Sequence, residues 1–381
     1  MDFEFSKEQM EFKKNAIDFS RKNLNVAVIK RDRDAAFSRE LWKKCAEFGI
    51  QGFAFPERYG GLNADIVSTM LLMEGLGYGC KDSGLLFAIN GQMWTVQMPI
   101  LRFGSDEQKE RYLPKLCSGE LIGANGVTEP NTGSDAFGLA TSARRSGDSY
   151  ILNGTKTFCT MAPEADVFMV FATVDKRKGF MGVTAFIVER DFPGFSVGKA
   201  IDKMGLRTAP MAELILEDCT VPVENRLGKE GNGAAIFEDT VEWERACLMA
   251  SISGGMERQL EQCIRYARER KQFGKAIGKY QSIANKIVDM KVRMETARLL
   301  LYKVAWMKQH RGKASAEAAI AKLYLSESWK KSCLDAVQIH GGYGYTIDFE
   351  VERDLRDSIG STLYSGTSEI QKIIIAKHLG L

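Results

Sequence analysis

Val127-Thr128-Glu129-Pro130-Asn131-Thr132-Gly133-Ser134-Asp135 stands where the chain changes texture, directly after a predicted strand. Pro130 fixes one backbone angle, Gly133 frees another, and Thr128, Ser134 and Asp135 carry hydrogen-bonding groups. Such a loop presents amides and hydroxyls to a flat heterocycle or a phosphate; by composition alone it reads as a polar surface turn. Neither G-x-G-x-x-G nor G-x-x-x-x-G-K-[ST] occurs in the 381 residues, so the usual Rossmann and Walker phosphate cradles are excluded.

Outward from this loop, the two sides differ. Residues 1 to about 120 read as helical. Ser6 with Gln9 forms a capping-box pattern ahead of Phe12, Ala16 and Phe19, and Ser38 opens a helix carrying Leu41, Trp42, Cys45 and Phe48. Further helical patterns cover Ser68–Leu76, Gly84–Leu101 and Asp106–Leu116. Beyond the loop come strand-like runs at Ser149–Leu152, Val167–Thr173, Val183–Val188 and Glu213–Leu216. Ser146-Gly147-Asp148 and Asn153-Gly154 read as turns between them. After Gly233 the pattern is helical again, over about 235–270, 280–310, 315–339 and Ser368–Leu379. The expectation is an α+β chain of three units: an N-terminal helical domain (1–120), a compact antiparallel β-domain (121–227) and a C-terminal helical bundle (228–381).

Composition narrows the function. Fifty-two basic and 49 acidic residues leave a net charge of +3, too little for general attraction to nucleic acid or acidic lipid. The eight cysteines form no C-x-x-C and the three histidines lie far apart, so no metal site is expected. Met1-Asp-Phe-Glu-Phe5 lacks the basic start and apolar run of a signal peptide, and no stretch reaches 18 uninterrupted apolar residues. The expectation is a cytoplasmic protein with reduced thiols, without a membrane partner.

The 127–135 loop resembles the signature of the acyl-CoA dehydrogenase family. Asn153-Gly-Thr-Lys-Thr-Phe158, Arg270-Lys-Gln-Phe-Gly274, Gln338-Ile-His-Gly-Gly342 and Gly366-Thr-Ser-Glu-Ile-Gln371 resemble further motifs of that family, in its order and across essentially the whole chain. The resemblance implies an N-terminal helical domain, a central β-domain, a C-terminal four-helix bundle, bound FAD and a homotetramer. It places Val127 and Thr128 against the isoalloxazine, Ser134 at substrate or pyrophosphate, and Phe158 with Thr160 beside the flavin. It implies that a neighbouring subunit brings Arg270 and Phe273 to the FAD diphosphate and adenine. Gln281, Gln338, Gly341 and Gly342 match adenosine-side positions, and Thr367 and Glu369 match phosphate and ribose contacts. Ser368-Glu-Ile-Gln371 also reads as a capping box that would aim a helix N-terminus at the diphosphate. Without these motifs, Arg270 reads as a solvated charge and Phe158 and Phe273 as core aromatics.

α,β-Dehydrogenation of a thioester needs a base at Cα and donors for the developing enolate. Most members of the family carry the base just before the final Gly-Thr, where this chain has Ser365. A free hydroxyl is too weak a base, though the Ser365 N–H is able to bind the thioester carbonyl. Glu244 is the alternative. Phe237, Val241, Leu248 and Ser251 stand at −7, −3, +4 and +7 from it, so it lies in a largely apolar helical stripe. Spacing alone allows either a base with a raised pKa or a structural carboxylate paired to Arg245 or another arginine. The resemblance favours the base, because isovaleryl- and long-chain-type members hold theirs at this position, followed by a matching arginine.

Trp243-Glu-Arg-Ala-Cys-Leu248, Met256-Glu-Arg-Gln-Leu-Glu-Gln262, Asp357-Ser-Ile-Gly360 and Gly79-Cys80-Lys-Asp-Ser-Gly84 are most similar to the prolyl-carrier-protein dehydrogenases and oxidases. That resemblance implies an L-prolyl thioester on a phosphopantetheinyl acyl or peptidyl carrier protein as substrate, with oxygen or an electron-transfer flavoprotein as acceptor. Gly254 and Gly255 suit a compact, ring-shaped acyl group. The rival readings are a short- or branched-chain acyl-CoA dehydrogenase using the same Glu244, and a non-catalytic flavin-fold protein.

Overall fold

The computed structural model describes residues 4–381. Its N-terminal part comprises α1 (Lys7–Asn23), α2 (Val28–Arg33), α3 (Arg39–Glu47), α4 (Ile66–Gly79), α5 (Ser83–Gln92), α6 (Met98–Phe103) and α7 (Asp106–Cys117). The anticipated caps form: Ser6 and Gln9 exchange both capping-box hydrogen bonds, and Ser38 Oγ accepts from the Leu41 amide. The Gly84–Leu101 reading as one helix is corrected. A π-helical turn at Met93–Gln97 separates α5 from α6, with all five residues buried.

The middle part holds β1 (Gly123–Gly126), β2 (Ser142–Ser146), β3 (Ser149–Thr160), β4 (Val167–Thr173), β5 (Val183–Glu189), β6 (Phe195–Val197), β7 (Met211–Pro222) and β8 (Arg226–Leu227). They form one sheet in the order β6-β7-β3-β2-β4-β5-β8, with β1 also paired to β4. The sheet is mixed rather than antiparallel throughout. β1 runs parallel to β4 over four residue pairs, and β2 meets β4 in parallel at Ser142 and Thr173. β4 explains why: its two faces enter different cores. Phe168, Val170 and Ala172 join the main core, while Val167, Met169 and Phe171 join a second cluster with Tyr112, Leu113 and Ile236. A strand buried on both faces tolerates parallel neighbours, whose connections must cover it.

Asn153-Gly154, expected as a turn, lies inside β3. The register shifts there, and a Cβ on Gly154 would stand 2.5 Å from Thr141 Oγ1. Glycine marks a bulge and a close approach, which local sequence does not distinguish from a turn. The Ser146–Ser149 turn forms as anticipated, with Gly147 at φ 59°.

The C-terminal helices are α8 (Gly233–Cys247), α9 (Met249–Glu269), α10 (Gln281–Arg311), α11 (Ser315–His340), α12 (Val351–Ser361) and α13 (Ser368–His378). A small hairpin of β9 (Lys271–Gln272) and β10 (Lys275–Ala276) lies between α9 and α10. The expected 235–270 helix is thus divided at Leu248, whose backbone stays helical at φ −60° and ψ −31°. Helices α9 to α12 pack together, and α4 lies across α9. Their crossing is close because Gly77 meets the Ser251 carbonyl and Gly254 meets the Glu74 carbonyl, where a Cβ would fall within 2 Å. Gly254 therefore serves helix packing rather than acyl space, correcting the sequence reading. Gly255 does line a cleft, where its missing Cβ would meet nothing nearer than the Trp329 ring at 3.7 Å.

Candidate active site and cofactor surface

The 127–135 loop is anchored by a buried ion pair. Lys156 is fully buried on β3, and its Nζ donates to Glu129 Oε1 at 2.7 Å and to the Val127 carbonyl at 3.3 Å. Glu129 also accepts from Thr141 Oγ1 at 2.5 Å, the Thr141 amide at 3.0 Å and the Ala140 amide at 2.6 Å. Burial pushes the Glu129 carboxyl up, but Lys156 and Thr141 hold it below the usual range. The Thr157 amide donates to the Thr128 carbonyl at 2.7 Å, which ties the loop to the strand that carries Phe158 and Thr160. Lys156 and Glu129 lie within the two motifs at 153–158 and 127–135, whose pattern does not reveal that they pair. The available signal was a lysine at an inward position of a strand.

Phe158 is no core aromatic: its side chain is 60% exposed and its backbone is left-handed, with φ 55°. Phe273 goes further, at 93% exposure and φ 50°. Left-handed backbone is costly for a non-glycine residue, and both rings are presented rather than packed. Ser134 is exposed on the same loop as Thr128.

A second cluster joins α8, α11 and the turn between α12 and α13. Arg245 Nε donates to the Ser365 carbonyl at 3.0 Å, Gln371 Nε2 donates to the same oxygen at 3.1 Å, and Lys322 Nζ donates to the Gly366 carbonyl at 2.8 Å. Ser365 is left-handed, with φ 58°. These bonds lock the carbonyl side of the turn. Thr367, not Ser368, caps α13, by accepting from the Ile370 amide at 3.3 Å. Ser368 Oγ instead donates to Glu327 at 2.7 Å, which corrects the expected capping box. Glu369 is exposed in the first turn, where the helix N-terminus lowers its pKa.

Glu244 sits deep among these groups while keeping partial solvent exposure, the signature of a carboxyl at the bottom of a cleft. It makes no ion pair with Arg245, so the alternative of a paired structural carboxylate is not what forms. Burial raises its pKa; Ser365, Arg245 and Lys322 oppose the rise. The Ser365 hydroxyl is near enough to act on the carboxyl, yet it completes no hydrogen bond of good distance and angle. Lys322 is fully buried without an acidic contact among the described residues, and burial brings its pKa down to about 8. Sequence reading missed it, since it lies 78 positions from Glu244 on a helix with lysines on several faces.

The third cluster lies at the other end of α9 and α11. Arg270, Phe273 and Gln281 are exposed around the β9–β10 hairpin, and the Arg270 guanidinium stands 5.7 Å from the Tyr343 ring without an acidic partner among the described residues. Gln338, Gly341 and Gly342 are exposed beside it. Gly341 needs its left-handed φ of 60° to leave α11. Gly342 has no such need, and a Cβ there would meet nothing within 4 Å. Nothing in the folded chain therefore calls for glycine at 342, which fits close approach by an outside group. Presented aromatics, an unpaired guanidinium and a bare glycine surface fit a large anionic, aromatic cofactor such as FAD. No hydrogen bond or ion pair joins this cluster to the other two among the described residues.

Among the described residues no group of His, Cys, Asp and Glu is arranged to hold a metal ion, and no helix is long and apolar enough to cross a membrane. All eight cysteines are free and buried.

Comparison with known proteins agrees with this layout. Sequence models of the acyl-CoA dehydrogenase N-terminal, middle and C-terminal domains match residues 6–120, 124–219 and 231–380. The chain is 44% identical to an L-prolyl-[peptidyl-carrier protein] dehydrogenase of Pseudomonas fluorescens, over 93% of this chain and 94% of that protein. It is 39% identical to a short-chain-specific acyl-CoA dehydrogenase of Clostridium acetobutylicum, over 99% of each. The crystal structure of the prolyl acyl carrier protein oxidase AnaB superposes with a TM-score of 0.98 at 52% identity, over 99% of this chain and 100% of that one. With all three domain models matched in order, and with relatives this similar over nearly its full length, the chain belongs to the acyl-CoA dehydrogenase family.

Proposed function

We propose that this flavin-dependent enzyme dehydrogenates an L-prolyl group held as a thioester on a phosphopantetheinyl carrier protein, with Glu244 taking the Cα proton. The observation that carries the reading is Glu244 itself: a deep carboxyl with a pKa raised by burial and no ion-pair partner among the described residues, beside a turn that offers an amide. The prolyl assignment is supported by the resemblance to the carrier-protein dehydrogenase and to AnaB.

In this reading the Ser365 N–H binds the thioester carbonyl and stabilises the developing enolate as Glu244 removes the proton. Arg245 and Gln371 fix the peptide that bears this donor, and Ser134 guides the acyl-bearing arm. Bound FAD supplies the acceptor for the Cβ hydride. Val127, Thr128, Phe158 and Thr160 would hold its ring system, while Arg270, Phe273, Gln281, Gln338, Gly341, Gly342, Thr367 and Glu369 would hold its diphosphate and adenosine. A homotetramer fits the exposed apolar stripe Val288, Val292, Leu299 and Trp306 on α10, together with Phe273. The acceptor that regenerates the bound FAD would be oxygen or an electron-transfer flavoprotein, in the cytoplasm.

Anaerobic titration of the yellow holoenzyme tests the reading. L-prolyl-carrier protein should bleach the flavin stoichiometrically, and butyryl-CoA should do so at least tenfold more slowly. The reverse order would assign the protein to the short-chain acyl-CoA enzymes, and no bleaching with either would leave a non-catalytic flavin protein.

A further inference from the structure

The turn between β4 and β5, residues 175–182, takes no part in the chemistry above. The Val174 amide closes it on the Gly182 carbonyl at 2.9 Å, and Gly179 bends it with φ 55°. At its tip Phe180 and Met181 are 59% and 60% exposed, two consecutive large apolar side chains left in solvent. Lys176 and Lys178 precede them, exposed and without an ion-pair partner among the described residues, while Arg177 is held by Asp175 at 3.0 and 3.1 Å.

Sheet topology brings further cations to the same place. β2 meets β4 in parallel at Ser142 and Thr173, so both strands run out at one end of the sheet. Arg144 and Arg145, next along β2, therefore stand one strand spacing, about 5 Å, from the start of the turn. Both are exposed and have no acidic partner among the described residues. Of the acids nearby, Asp175 is engaged by Arg177 and Glu230 by the Tyr150 hydroxyl at 2.6 Å, which leaves Asp148 in the β2–β3 turn. An apolar centre with a cationic rim is the anatomy of a protein-docking patch, on a chain whose net charge is only +3.

This patch stands at the head of the helix that carries Glu244. A Cβ on Gly231 would lie 2.7 Å from the Met181 carbonyl oxygen, and the Gly231 amide donates to Thr184 Oγ1 at 2.9 Å. α8 begins at Gly233, and about 16 Å of its axis separates that residue from Glu244. Between them Phe237 packs on Phe137, with ring centroids 5.5 Å apart, in the loop that also carries Ser134. A phosphopantetheine arm is about 16–18 Å long when extended. With its thioester at Glu244, its phosphodiester end lies beside the turn.

We propose that the 175–182 turn, with Arg144 and Arg145 beside it, is the docking surface for a carrier protein whose face around the modified serine is acidic, its arm running back along α8 past Phe237 to Glu244. Phe180 and Met181 supply the apolar contact, and the lysines and arginines steer the partner and fix its orientation. The inference rests on the reading that the acyl group reaches Glu244 on such an arm.

Two variants divide the patch: Phe180→Ser/Met181→Ser removes its apolar tip, and Lys176→Glu/Lys178→Glu reverses its rim. Each holoenzyme is compared with wild type for turnover of an L-prolyl-loaded peptidyl carrier protein and of L-prolyl-pantetheine, which has the arm without the protein. KM for the carrier protein should rise roughly tenfold or more in both variants, while kcat and the prolyl-pantetheine kinetics stay within about twofold. Added salt should weaken carrier binding to wild type more than to the charge-reversed variant. An unchanged KM for the carrier protein, or equal losses with the two thioesters, would overturn the docking surface. Loosened assembly in sedimentation with unchanged carrier kinetics would also overturn it, and would assign the patch to contact between copies of the chain. Should prolyl-pantetheine fail to bleach the wild-type flavin, the prolyl reading fails; calorimetric binding of the unacylated phosphopantetheinyl carrier protein to the same variants then decides the docking surface, which falls if all three bind alike.

Discussion

Two charged residues at the bottom of the cleft set each other's protonation. Glu244 must be ionised to accept a proton, and burial works against that; Arg245 and Lys322 are the cations that oppose the rise. Arg245 is itself drawn on by Glu242 and Glu238, and Lys322 by Glu327 and Glu369, with Tyr364 the remaining titratable group in range of Glu244. Lys322→Met removes one cation, so the Glu244 pKa rises. Because the rate falls below that pKa, the acid limb of flavin reduction should move to higher pH. Lys322→Arg should restore it. Stopped-flow rates between pH 5.5 and 9 give the answer; an acid limb unmoved in the methionine variant would reduce Lys322 to a holder of the Gly366 carbonyl. The Glu244 position was legible from its helical stripe. Lys322 was not, because a distant lysine meets the carboxyl only through packing of α11 on α8.

Strand β3 and helix α12 each hide a titratable group where local pattern gives little warning. Lys156→Met leaves the Glu129 carboxylate buried and unpaired, which should cost about 3–5 kcal/mol and loosen the 127–135 loop. Denaturant unfolding should show that loss together with weaker FAD retention, and the Lys156→Met/Glu129→Gln pair should recover part of it. On α12, Asp357 is buried and burial pushes its pKa up to about 7, with the Leu206 amide its only hydrogen-bond donor among the described residues. A raised folded-state pKa means the folded protein holds the proton longer than the unfolded chain, so stability falls as pH rises from about 4 to about 7. Asp357→Asn should erase that loss: its melting temperature relative to wild type should be higher at pH 8 than at pH 5, and a constant difference would contradict the assignment. The elements themselves were legible where caps and periodicity coincide, as at Ser6 and Ser38. They were illegible at the π turn Met93–Gln97, because a helix buried all round has no polar face to mark a change of period, whereas β4, buried on both faces, was still read to its bounds as a short apolar run.

The succession of helices, sheet and helices across the whole chain was readable from texture, while the parallel pairings of β1 and β2 with β4 were not, since they join segments about forty and thirty residues apart. Among the described residues the Arg270 end is bonded to neither the Glu244 turn nor the 127–135 loop, and in the proposed reading it serves a neighbouring subunit's cofactor. Arg270→Ala should therefore weaken FAD binding roughly ten- to a hundredfold, the worth of a charge-assisted phosphate contact. Sedimentation should show assembly loosening with it. Full flavin content and unchanged assembly in this variant would contradict the mapping of Arg270 onto a neighbouring subunit's cofactor.

Proton removal by Glu244 is where these scales meet. Glu244→Gln keeps the size of the side chain and removes its basicity. It should bind FAD and L-prolyl-carrier protein normally, and relieving a buried carboxyl with a raised pKa should leave the fold as stable or more so at neutral pH. General-base help is worth about 10²–10⁴ in rate, so single-turnover bleaching of the flavin by prolyl thioester should slow by at least a hundredfold. Bleaching at the wild-type rate would show that Glu244 is not the base.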